Sequence, residues 1–259
     1  MTGRWVVSDG LPPPGSSADR LLDSAERLVA LDGLQGSSSR AITLAAGHRN
    51  SNAIAYHFGD RLGLLSAVAY RRTVGIDRRR VRELADLERD DRTRDPEALV
   101  RALVRPFAAE LAGHTPSYWA RFNEALLTGY PLDALGRFTA EGGTLPSLRG
   151  LVRTLAHARD LAAGGREPLA SRRVTQVVRM GVTSLACWER DCDAGLLERS
   201  SLDALTADLV RTGAAVLTAA APVTPGKALG TRAPAAPAAQ TSDVEALDGG
   251  SGPDVTVHV

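Results

Sequence analysis

Apolar residues recur at spacings of three and four through most of this chain, and caps and glycines mark the breaks, so the pattern predicts helices throughout and no strands. Leu21, Leu22, Ala25, Leu28 and Val29 form one stripe that Gly33 ends as a C-terminal cap. A short helix started by one of Ser37 to Ser39 is expected to bury Ile42, Ala45 and Ala46 and to stop at Gly47. After a tight turn, His48 to Asn50, a third helix buries Ile54 and Phe58, and Asp60 caps the helix that Arg61 begins. Asp95-Pro96-Glu97 starts a helix striped by Leu99, Leu103, Phe107 and Leu111. Thr115-Pro116 repeats the start signal before Trp119, Phe122 and Leu126, and Gly142-Gly143 precedes a helix with Leu148, Leu151, Val152 and Leu155. Two long helices follow, from about Pro168 to Arg190 and from about Ser201 to Leu217.

The expected architecture is all-α, an N-terminal three-helix bundle followed by a larger helical domain. Its expected parts are an arm over 1–17, the bundle over 18–65, the helical domain over 66–220 and a low-complexity, Pro- and Ala-rich tail over 221–259. Hydrophobic content of 44% and charged content of 24% are ordinary for a globular chain. No apolar run approaches the length of a membrane span, and the N-terminus lacks the apolar core of a signal peptide, so no membrane is expected as a partner. Two cysteines, Cys187 and Cys192, are too few for a disulfide framework and fit a reducing cytoplasm. There is no metal-ligand spacing and no nucleophile with its base, so neither a cofactor, a metal nor a catalytic residue is expected.

A net charge of +1 leaves any nucleic-acid surface to local concentration of arginine. Such a concentration falls between Arg40 and Arg72, where Arg40, Arg49, Arg61, Arg71 and Arg72 face a single acid, Asp60. The run Arg78, Arg79, Arg80 and Arg82 is interspersed with acids and reads as a solvated connector. Within residues 19–65, two short helices joined by a glycine-containing turn form a helix-turn-helix, whose second member can enter the major groove. With Ile54 and Phe58 inward, Asn52, Tyr56 and, from the turn, Arg49 face outward. Asparagine can pair with adenine, arginine with guanine, and Ala53 can lie against a thymine methyl. Ser51, Tyr56, His57 and Arg61 suit phosphates, although His57 reads equally as a packed histidine, and Arg40 and Asn50 are further candidate DNA contacts.

The order LLDSA, Gly33, SSSRAI, AAG, YHF, Arg61 and Leu64 resembles the DNA-binding domain of TetR family transcription regulators over about a fifth of the chain. The chain differs in having Ala55 followed by Tyr56, Thr43 for the usual alanine, and Arg61 for a common lysine. The resemblance implies a homodimer through the last two helices, double-stranded DNA with a palindromic operator as partner, and an unknown small-molecule ligand that releases a repressor. Such a ligand would sit among the middle helices, where Phe107, His114, Trp119, Phe122, Asn123 and Met180 are the candidate contacts, although an ordinary core uses the same residue types. The alternative is an all-α ligand-binding or enzymatic protein with a vestigial helix-turn-helix.

Overall fold

The computed structural model describes residues 10–50, 52–129 and 148–220, and among these the regular structure is helical, with no strand. The helices are α1 (Ser17–Gly36), α2 (Ser39–Ala45), α3 (Ala53–Phe58), α4 (Arg61–Arg89), α5 (Pro96–Ala112), α6 (Trp119–Gly129), α7 (Arg149–Leu161), α8 (Leu169–Asp193) and α9 (Leu202–Thr218). Ser51, the Gly142-Gly143 break, the first nine residues and the tail from 221 lie outside the described residues. The all-α expectation holds.

Side-chain caps start four of these helices, three of them where the sequence signals it and the fourth, Ser16 on α1, within the stretch expected as an arm. Side-chain oxygens of Ser16, Ser38, Asp60 and Asp95 accept from the amides of Asp19, Ala41, Gly63 and Ala98, each satisfying an amide that the first helical turn leaves without a partner. The Asp95 carboxyl is held below its usual range by its hydrogen bond from Arg92 and by the helix amide it caps. Gly33, at φ +71°, breaks the direction of α1, although helical pairing continues to Gly36. The start signal at Thr115-Pro116 precedes the helix rather than opening it, since α6 begins at Trp119.

Helix α1 lies against α4 and α6, α6 against α8, α7 against α4, α5 and α8, and α9 against α5 and α8. One continuous apolar core therefore runs from Leu21 and Phe58 to Trp119, Leu185 and Leu217. Each fully buried leucine or phenylalanine in it contributes about 1.5–3 kcal/mol of transfer free energy. Three apolar expectations change. Ala45 and Val152 face solvent, while Thr43 is buried with its hydroxyl donated to the Ser39 carbonyl at 2.8 Å. The solvated-connector reading also needs correction. Arg78, Arg79 and Arg82 are exposed, but Asp77 and Arg80 are buried, because α4 turns that face onto α5 and α7.

Buried charges tie the helices together. Glu26 on α1, 2% exposed, accepts from Arg71 and from both Nε and Nη2 of Arg72 on α4, and Arg72 also reaches Glu110 on α5 at 3.5 Å. On α6, Arg121 pairs with Glu189 and Asp193 of α8 at 3.4 and 2.6 Å. Stripping either pair of one partner would strand a charge in a low-dielectric interior, which costs far more than a surface ion pair.

The two C-terminal helices use their apolar stripes inside the chain. Val177, Leu185 and Trp188 of α8 and Leu202, Leu209 and Leu217 of α9 are buried. Their outward faces carry Arg172, Gln176, Arg179, Thr183, Ala204, Ala207 and Arg211. The stripes expected to pair two copies are thus already covered by neighbouring helices of the same chain.

Candidate nucleic-acid interface

The segment between α2 and α3 is set by backbone hydrogen bonds. Gly47, at φ +77°, lets the chain reverse, so that the His48 amide donates to the Thr43 carbonyl and the Gly47 amide to that of Leu44, both at 3.0 Å. A side chain at Gly47 would pay for the left-handed conformation, so the turn needs glycine there. Two residues on, the Asn50 Oδ1 accepts from the Asn52 amide at 2.9 Å and fixes the entry to α3. Asn50 is thereby a turn-former, although its residue remains exposed.

Helix α3 then divides cleanly. Ile54 and Phe58 are buried in the core shared with α1 and α4, while Asn52, Ala55 and Tyr56 face solvent, Tyr56 at 79% exposure. Ala53, expected against a thymine methyl, is buried. It sits one residue before Ile54 on the short helix, and that register turns it under the helix while Ala55 takes the open face. On α2 and the turn, Arg40 and Arg49 are exposed and enter no ion pair among the described residues. Leu44, at 73% exposure, joins this surface unannounced. The signal was available, since Leu44 lies two residues after Ile42 and off the helical stripe.

Two expected phosphate contacts are turned inward. The Arg61 guanidinium donates to the Leu34 carbonyl and, at 3.1 Å, to the Ser37 hydroxyl, which ties the start of α4 to the end of α1. Its Nε is buried without a partner. His57 is half-buried, and its Nε2 lies 3.1 Å from the Ser17 hydroxyl, which the Nε2 of His48 approaches at the same distance. Burial first, and then the neighbouring His48, lower the His57 pKa. His57 is placed against Ser17 of α1. Arg71 and Arg72 are likewise spent on Asp19, Asp23, Glu26 and Glu110. The basic patch read from composition shrinks to Arg40 and Arg49, because groups distant in the sequence are near neighbours in the fold: acids for Arg71 and Arg72, a carbonyl and a hydroxyl for Arg61.

A cavity of about 180 Å³ lies among α4, α5, α6, α7 and α8. Of the candidate ligand contacts, Phe107, Trp119 and Asn123 line it, whereas His114, Phe122 and Met180 do not. Phe122 is wholly buried behind Trp119, stacked on it at 5.5 Å between ring centroids. His114 is at the far end of α5, where its Nδ1 donates to the Glu110 carbonyl at 2.8 Å. Met180 packs against the core from a half-buried position. Arg80, read as part of a solvated run, is in the wall instead.

No family model matches the chain, and no curated protein matches it significantly. Among the described residues no group of His, Cys, Asp or Glu could hold a metal ion, and no helix is long and apolar enough to cross a membrane.

Proposed function

We propose that the chain is a sequence-specific DNA-binding transcription regulator, with α2 and α3 as its helix-turn-helix and a small-molecule ligand as the signal that releases it from DNA. The observation that carries this reading is the division of α3. Ile54 and Phe58 anchor its back in the core, while Asn52 and Tyr56 stand in solvent, as does Arg49 on the preceding turn, which enters no ion pair among the described residues. An asparagine and an arginine on a rigid, projecting edge can read adenine and guanine, and Tyr56 is placed to donate to a phosphate. Two copies, paired through the outward faces of α8 and α9, would present two such edges to successive major grooves and would read a palindrome. A ligand in the cavity acts by packing better against one spacing of the two edges than the other.

The test is selection of bound sequences from a random DNA pool by the full chain, followed by gel shifts at several salt concentrations. The expected outcome is a palindromic consensus and salt-sensitive binding, with Asn52→Ala lowering the preference for that consensus about 5- to 100-fold, as loss of one bidentate base contact would. Equal affinity for selected and scrambled DNA would refute the reading. The internal pairing of Arg61, Arg71 and Arg72 favours a second reading, an all-α ligand-binding protein whose helix-turn-helix no longer holds DNA. That reading wins if no salt-sensitive shift is seen.

A further inference from the structure

Aliphatic side chains from five helices, among them Ile76, Leu103, Leu126, Leu151 and Val177, line the internal cavity, and Phe107 and Trp119 add rings stacked at 5.9 Å between centroids. The Nε1 of Trp119 is itself buried. Among the described residues the other polar side chains of the wall are Thr73, Arg80 and Asn123, and each already has a partner inside the chain. The Thr73 hydroxyl donates to the Tyr70 carbonyl at 3.4 Å, and the Asn123 amide to the Trp119 carbonyl at 2.7 Å. Nε and Nη2 of Arg80 donate to the carbonyls of Ala102 and Leu103, each at 3.1 Å. Its Nη1 lies 3.8 Å from the buried carboxylate of Asp77, so the charge is balanced within the protein rather than offered to an occupant.

A wall of this kind selects by desolvation. A buried water needs two to four polar partners, and a carbon-lined space gives it too few, so such a space stays dry. The lining atoms then lack neighbours on their open side, and an occupant of matching shape restores those dispersion contacts. A hydroxyl or a charge entering the same space sheds its water without gaining a partner, which is unfavourable. Size sets the other limit. An apolar cavity of about 150 Å³ holds one benzene ring, so 180 Å³ suits a single ring with a few further carbons.

We infer that this cavity takes a small, uncharged, hydrocarbon-like molecule, about one substituted benzene ring in size, held by shape and dispersion without a hydrogen bond. This rests on the ligand-binding half of the function proposed above, and the test uses no DNA, so its failure leaves the DNA-binding half standing. Five probes are titrated into the full chain below their solubility limits and followed by saturation-transfer NMR: ethylbenzene, benzyl alcohol, benzoate, benzylamine and biphenyl. Ethylbenzene binds at least about fivefold more tightly than benzyl alcohol, as an unpaired buried hydroxyl implies, and the two ions bind more weakly still. Biphenyl, more apolar but a ring too long, also binds at least about fivefold more weakly than ethylbenzene, which separates a fitted cavity from indiscriminate apolar adsorption. Gly181→Leu fills the space from α8, where the nearest side-chain atom to an added Cβ is Val104 Cγ2 at 3.9 Å, and it abolishes ethylbenzene binding. Val178→Phe, a second filling variant on the same helix, does the same, and circular dichroism checks that each remains folded. The inference is overturned if ethylbenzene does not bind, if any polar probe or biphenyl binds as well as ethylbenzene, or if ethylbenzene binding survives in a folded filling variant. Polar-probe binding that Gly181→Leu removes would overturn the apolar class while leaving the ligand-binding reading in place.

Discussion

Replacing Arg61 by methionine separates a DNA contact from a structural tie. The guanidinium donates to the Leu34 carbonyl and the Ser37 hydroxyl, and hydrogen bonds from a charged donor contribute about 1.5–3 kcal/mol each. Against this stands the buried, unpartnered Nε, whose loss returns about 1–3 kcal/mol. Ser37 keeps its own bond to the Gly33 carbonyl at 2.7 Å, so the substitution leaves few new unpaired groups. The balance is a destabilisation of about 2 kcal/mol, which for a folded unit of this size lowers Tm by about 4–8 °C. Thermal unfolding by circular dichroism measures that shift. Fluorescence anisotropy with the selected DNA, at a temperature where the variant is folded, measures the rest: the slope of log K against log salt concentration stays that of the wild type. A phosphate contact would behave in the opposite way, with the slope shallower by about 0.9 and Tm unchanged to about 1 °C. That second pattern would refute the assignment of Arg61 to the junction of α1 and α4.

Two further outcomes follow from the packing. Gly181→Ala should raise Tm by roughly 1–4 °C, since an added Cβ in the interior of α8 meets only Val104 Cγ2 at 3.9 Å and a helical glycine costs about 0.5–1 kcal/mol relative to alanine; a fall in Tm would show the cavity wall to be tighter than this. Because His57 has a lowered pKa in the fold, the unfolded chain binds its proton first as pH falls. Its contribution to stability is therefore complete above the ordinary imidazole value of about 6.5 and is lost as pH drops below it. Urea midpoints at pH 7.5, 6.5 and 5.5 should decline across that window, and His57→Gln should flatten the decline; an unchanged slope in the variant would disprove the role.

What the amino-acid order determined by itself is what depends on neighbours three or four residues away. Helical periodicity made the all-α class legible, and the caps at Ser38, Asp60 and Asp95 and the turn at Gly47 were readable because their partners lie within a few residues. Ile54 and Phe58 could be placed on the inner face of α3 by the same local geometry. Only the tertiary structure decided which charged and aromatic side chains remain free, because that depends on groups far off in the chain. Glu26 lies some 45 residues before the arginines it claims, and those pairings reduced the apparent basic patch. Leu34 and Ser37 claimed Arg61 in the same way, and Ser17 claimed His57. The cavity, too, belongs to no single stretch: five helices border it, and whether Trp119 or Phe122 faces it turns on how α6 is seated against α8. Composition counts a residue's charge or ring, but burial and partner choice set what that group is available to do, and both are properties of the packed chain.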